Sequence, residues 1–233
     1  LFGHMRTFKQ CYANLEKNLL KSMQFDIFMH TWDENEASTG AWHNSHMEVK
    51  KLSDSDKTLI NQLYQPKNII FENQTIKDYK TNCPGLQLNA EGQKNMIKSM
   101  YMANELKKRF EKQNDFKYDM VLKMRPDIFL NNNMMHLLFE HDLQKNNIFI
   151  AANKHKNGET LSCYRAMDIF GLADSDTMNA VCEVYHDFDK YYMKKDFNHS
   201  AFVDYLLDKD IKVNIMNYFY GTDWTIMRQP KRR

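Results

Sequence analysis

Arg125, Pro126 and Asp127 place a cation and a carboxylate two residues apart at the end of an alternating apolar run, Tyr118, Met120, Leu122 and Met124. Proline gives no amide hydrogen to a ladder, so the strand is expected to break there and leave Asp127 at the sheet's edge. In an open α/β sheet that edge is where ligands bind. A carboxylate so placed can hold a divalent ion against a pyrophosphate, and the neighbouring guanidinium can pair with a phosphate or lock the loop. The bland alternative is an Arg-Asp pair that only caps a loop. Gly3 and Arg6 form a second group: a glycine at a strand-to-helix turn lets backbone approach a ligand, and an arginine near the helix start could face a diphosphate.

Further chemistry-bearing residues are spread along the chain. His30, Thr31, Trp32 and Asp33 end an apolar run over 25–30 and suit a base or sugar pocket. Alternatively Trp32 packs as a lid over the core and His30 is a satisfied core histidine. Gln93, Asn95 and Ser99 lie toward the start of a long helix, where they could line a pocket. Asp168 opens a short apolar run over 169–172, either capping the turn or pointing into a site as a base or sugar ligand. His43 and His46 lack the further spaced ligands of a zinc site.

The elements that must position these residues follow from periodicity. Leu1-Phe2 before Gly3 read as the tail of a first strand truncated at the N-terminus, as in a fragment or excised domain, since strands usually run about five to six residues. Phe8, Tyr12, Leu15 and Leu19 recur at helical spacing to about residue 22. A second strand is expected over 25–30, a polar connection over 34–57, a short helix over 57–64, and a third strand over 67–72 after Pro66. Met96, Met100, Ala103 and Phe110 mark a long amphipathic helix over 90–112, whose Met stripe reads as core. The strand of 118–124 follows, so the order strand, helix, strand, helix, strand predicts a mostly parallel, doubly wound sheet in a single α/β domain. Beyond it are expected a short helix over 135–139, strands over 148–152, 166–172 and 211–218, and helices over 174–192 and 200–207. Gly221, Thr222, Asp223 and Trp224, with Arg228, close the chain.

Composition bounds the rest. The 233 residues can bury the core of one domain, and 42% hydrophobic with 27% charged residues is ordinary for a globular chain. A net charge of +2 is too small for a nucleic-acid-binding face. Only Lys231-Arg232-Arg233 is locally basic, which allows at most weak peripheral membrane association. Four cysteines (Cys11, Cys83, Cys163, Cys182) lie far apart without a CxxC, which fits a reducing cytoplasm. No run has the length of a transmembrane helix, and none looks like a signal peptide.

Three blocks taken together, LFGHMRTF at the start, FDIFMHTWD some twenty residues later, and YDMVLKMRPDIFL after a long helix, resemble bacterial capsule and lipopolysaccharide glycosyltransferases of the GT-A fold type. The similarity covers most of the chain and weakens after Phe170. It implies a GT-A-like (Rossmann-like) central sheet flanked by helices, and a cytoplasmic enzyme, at the inner face of the membrane where its acceptor is lipid-linked. Such an enzyme takes a nucleotide-sugar donor and a saccharide or lipid-linked saccharide acceptor. In that family the first turn and the end of the second strand hold the nucleotide, which corresponds here to Gly3, Arg6, Thr31 and Trp32; Asn95 and Arg125 are added as donor-binding candidates from their own positions on the long helix and beside the carboxylate. The acidic motif binds Mn²⁺ or Mg²⁺ and corresponds to Asp127, a single carboxylate where the usual form is Asp-x-Asp. An inverting transferase also needs a carboxylate base; Asp168 is the first candidate, Asp223 the second and His199 a third. The competing expectation is a catalytically silent sugar-nucleotide or glycan-binding domain that positions a partner transferase.

Overall fold

The computed structural model describes residues 1–35, 49–74, 87–154, 160–161, 169–192 and 198–227. Helix α1 (Phe8–Asn18) buries Phe8, Cys11 and Leu15, the three-to-four spacing of one face. Strand β1 (Phe28–Trp32) is buried throughout, as its continuous apolar run predicts. Helix α2 (Asp54–Tyr64) starts at Ser53, whose side chain accepts from the Asp56 amide, and ends at Gln65 in the left-handed conformation. Strand β2 (Asn68–Glu72) pairs in parallel with β1. Helix α3 (Gln87–Asn114) then crosses back to β3 (Val121–Met124).

The segment 1–3 joins two pieces of sheet. The Leu1 carbonyl accepts from the His30 amide at 3.1 Å, the Gly3 amide donates to the His30 carbonyl at 3.2 Å, and the Phe2 amide donates to the Met124 carbonyl at 3.2 Å. The run therefore lies between β1 and β3, with Phe2 bridging His30 in parallel. Pro126 breaks the ladder where expected, and the chain resumes as β4 (Ile128–Leu130).

Beyond β4 come α4 (Met135–Glu140), β5 (Asn147–Lys154), β6 (Thr160–Leu161), β7 (Phe170–Ala173), α5 (Ser175–Cys182), α6 (Phe188–Tyr192), α7 (Asn198–Asp208), β8 (Lys212–Tyr220) and β9 (Trp224–Ile226). The larger sheet has the order β3-β7-β5-β8-β9-β4, with β6 beside β5. Parallel pairing holds at β1–β2, β5–β8 and β8–β9, whereas β3–β7, β5–β7, β5–β6 and β4–β9 are antiparallel. The α/β class with helices flanking the sheet holds, but the sheet is mixed in its second half rather than mostly parallel. The partners of β7 are distant in sequence, and apolar alternation fixes which face a strand buries without fixing its direction. One further strand, β9, is not among those expected, and the helix expected over 174–192 is broken by a 3₁₀ turn at Glu183–Tyr185.

Two apolar layers cover the sheet. One holds Phe8 and Leu15 of α1, Ile60 and Tyr64 of α2, and Leu137 and Leu138 of α4. The other holds Ile97 and Met100 of α3, Val181 of α5, Tyr191 of α6 and Phe202 of α7. Thus α1 and α2 lie on one face and α3 on the other. The crossovers change face at the seam between segment 1–3 and β3, which is the switch point where such sheets open a crevice. No helix among the described residues is long and apolar enough to cross a membrane.

Candidate functional site

Two turns meet at that seam. The first is 3–6. Gly3 has φ +105°, a conformation that side-chain-bearing residues rarely adopt. Its amide donates to Ser99 Oγ at 2.8 Å as well as to β1, so the turn is tied to both β1 and α3. Buried Met5 anchors it below, and His4 Nδ1 donates to the Glu34 carbonyl at 3.0 Å. Because that acceptor is a carbonyl, the ring proton is on Nδ1 in the neutral imidazole. Burial, and then the Arg6 charge, push the His4 pKa down to about 3.

The second turn is 125–127. Arg125 Nε donates to Asp127 Oδ1 at 2.9 Å and Arg125 Nη2 donates to Asp127 Oδ2, a two-pronged clamp. Arg6 Nη1 approaches Oδ2 from the first turn at 3.4 Å. Burial alone would raise the Asp127 pKa, but the charge and hydrogen bonds of Arg125, with the charge of Arg6, hold it below the usual carboxylate range. The clamp is fixed from outside: the Met227 amide donates to the Asp127 carbonyl at 2.8 Å, and Thr7 Oγ1 donates to the Met227 carbonyl at 3.1 Å. Asn14 of α1 exchanges two hydrogen bonds with Leu130 at the end of β4, so α1 and the 125–130 stretch are one unit.

Beneath these turns lies a polar chain. Ser99 Oγ is 2.8 Å from His30 Nδ1, His30 Nε2 is 2.9 Å from Glu72 Oε2, and Lys98 Nζ reaches Glu72 Oε1 at 2.5 Å. The order serine, histidine, carboxylate is that of a nucleophilic triad. Ser99, however, is 0% exposed and its Oγ already accepts from Gly3, so it braces the turn and cannot attack a substrate. Burial lowers the His30 pKa against the opposing pull of Glu72. A neutral ring with Nε2–H toward Glu72 leaves Nδ1 to accept from the Ser99 hydroxyl, whose one hydrogen also faces the His30 carbonyl at 3.1 Å.

Gly3, Arg6, Arg125 and Asp127 are thus brought together. Thr31 and Trp32 are buried one layer down, Trp32 edge-on to His30 with Lys98 over its ring at 5.6 Å. Asn95 is buried on α3, one turn before Ser99. Asp223 lies at the far end of the β4–β9 ladder, where Oδ1 accepts from Asn132 at 2.7 Å and Oδ2 from the Phe219 amide at 2.8 Å. There it braces a turn and is not gathered with the arginines. Asp168, His43, His46 and the tail 231–233 lie outside the described residues, as does the side chain of His199. Sequence reasoning did not single out His4, Lys98 or Glu72. A charged residue closing β2 beside a buried histidine was the one available signal for Glu72.

The divalent cation implied by the resemblance does not fit these residues as they stand. Both Asp127 oxygens are occupied by guanidinium hydrogens, and among the described residues no cluster of three acidic, histidine or cysteine side chains could hold an ion. A cation at the ~4 Å that a shared carboxylate imposes would meet each guanidinium with about 4 kcal/mol of repulsion per unit charge at an effective dielectric of about 20.

A separate concavity of about 470 Å³ opens at the other end of β3, lined by Lys117, Asp119, His141, Asp142 and Asp176 among others. Lys117 pairs with Asp176, and Asp174 caps α5 by accepting from the Thr177 amide, so these three charges have structural partners.

The fold and site define an α/β protein in which two arginines meet one buried carboxylate at the switch point of the sheet. No protein-family model and no curated protein sequence matches the chain. Among solved structures it is similar to an active-site mutant of LgtC, with 13% identity, a TM-score of 0.44, and coverage of 94% of this chain and 72% of that one.

Proposed function

We propose that this protein transfers a sugar from a nucleotide-sugar donor to a saccharide or lipid-linked saccharide acceptor, in the assembly of a bacterial capsule or lipopolysaccharide. The observation that carries the reading is the meeting of Arg6 and Arg125 at the switch-point edge, next to a glycine turn whose backbone a ligand can approach. The three sequence blocks that resemble glycosyltransferases are the segments that build this edge. In the reaction the bond from the anomeric carbon to the diphosphate oxygen breaks and a bond to the acceptor oxygen forms. The acceptor's proton passes to a base, and the charge left on the diphosphate is met by guanidinium hydrogen bonds. Asp168 is the residue proposed as base; Asp223, the second candidate from sequence, is held in its own turn away from the arginines.

A second reading, a silent nucleotide-sugar-binding domain, is favoured by one observation: the Asp223 carboxylate is taken up by its own turn. Incubation with a panel of nucleotide sugars, with nucleoside diphosphate release as the readout, separates the two. Turnover that falls at least tenfold in Arg6→Ala or Arg125→Ala supports the transferase, by the loss of one charge-assisted hydrogen bond worth about 1.5–3 kcal/mol. Nucleotide binding without turnover supports the silent domain, and absence of both rejects the site.

A further inference from the structure

Resting on the donor site proposed above, we infer that the diphosphate is bound by the guanidiniums of Arg6 and Arg125 without a divalent cation, and that Asp127 is a positioning residue beneath them. Three observations lead there. The order of burial is the first. The Asp127 side chain is 1% exposed, while those of Arg6 and Arg125 are 11% and 16% exposed. A ligand arriving at the crevice therefore meets guanidinium before it meets carboxylate.

The second is how the carboxylate is used. Both Asp127 oxygens accept from Arg125, whose planar fork they match, and Oδ2 also faces Arg6. A metal-binding carboxylate must offer an oxygen lone pair to the ion at about 2.0–2.1 Å, and an ion there would stand beside two guanidiniums that repel it. One carboxylate between two guanidiniums also leaves this trio cationic by one unit, the sign that a diphosphate needs.

The third is the difference between the two arginines. Arg125 is held by two prongs, so its plane is fixed before a ligand arrives. Arg6 meets Asp127 at 3.4 Å, too long for a strong hydrogen bond, so this contact holds its fork less firmly than the clamp holds Arg125. Fixed Arg125 sets the orientation of the diphosphate, and Arg6 closes on it from the opposite turn.

The test is calorimetric titration of the whole chain with inorganic pyrophosphate in EDTA. Binding is expected in EDTA, weakened on the order of tenfold to hundredfold by Arg6→Gln or Arg125→Gln. Arg125→Lys should recover only part of it, because an ammonium cannot reproduce the fork. Asp127→Asn should weaken binding but leave it independent of metal, and thermal melts identify any variant that does not fold. In that event Arg6→Lys, which keeps the charge, gives the partial loss that tests the same contact. Pyrophosphate that fails to bind in EDTA, or binds only with Mn²⁺ in a way abolished by Asp127→Asn, overturns the inference. Metal-free pyrophosphate binding with no nucleotide sugar turned over leaves it standing and rejects the transferase. Turnover that requires Mn²⁺ does the reverse.

Discussion

His30 shows how one residue can look catalytic and be structural. It sits between Ser99 and Glu72 at hydrogen-bond distance from both, yet it is buried and the serine is already engaged by Gly3. Its consequence is for stability against pH. Burial lowers the folded-state pKa of His30, and burial with the Arg6 charge lowers that of His4, both below the ordinary histidine value of about 6.5. A group whose folded pKa is depressed contributes stability that is present above the unfolded pKa and is lost as pH falls, since the unfolded chain then binds more protons. The urea midpoint should therefore fall between about pH 7 and about pH 5, and His30→Gln should flatten that fall. An equal drop in wild type and variant would remove His30 from the account.

Elements carry the site by being pinned at both ends. The start of the β3 stretch hangs on Glu111 near the C-terminal end of α3: the Tyr118 amide donates to Glu111 Oε1 at 3.0 Å, Ser175 Oγ donates to the same oxygen at 2.5 Å, and Lys107 pairs with Oε2 at 3.1 Å. Glu111→Ala would leave Lys107 a buried cation with only the Ser175 hydroxyl and no counter-charge at this contact, and should cost about 3–5 kcal/mol by chemical denaturation. A loss below about 1 kcal/mol would show that water takes the place of the carboxylate. Along the same strand Lys123 is buried near the rings of Phe2 and Phe202, at 5.9 and 5.5 Å. Its stem crosses Gly171 of β7, where an added Cβ would stand 2.9 Å from Lys123 Cε and 3.2 Å from Ile148 Cδ1. Gly171→Val should overpack this spot and cost about 1–3 kcal/mol, read as a lower melting temperature. Periodicity made the helices α1, α2 and α3 legible, because one face of each is apolar at regular spacing. It could not reveal that β7 runs against β3, or that Gly171 makes room for a lysine.

Across the whole molecule, segment 1–3 is where the parallel pair β1–β2 meets the mixed sheet, and Phe2 fills the seam at 2% exposure. Phe2→Ala should cost about 3–5 kcal/mol. Amide exchange in β1 and in β7 should rise together, as expected of one cooperative unit; a rise confined to β1 would mean that the two sheets unfold separately. The sequence by itself determined the strand break at Pro126, the glycine turn before α1, the buried character of β1, and the placing of Arg125 and Asp127 at a strand end and of Arg6 near a helix start, because each depends on local covalent constraint or on apolar spacing within a few residues. Only the tertiary structure decided what those residues do to one another. Arg6 and Asp127 are 121 positions apart, and their contact exists because α1 and α3 cover opposite faces of the sheet and so bring two turns to the same seam. The occupation of Asp127 by guanidinium, and the burial that hides it beneath the arginines, follow from that packing, which no local pattern encodes.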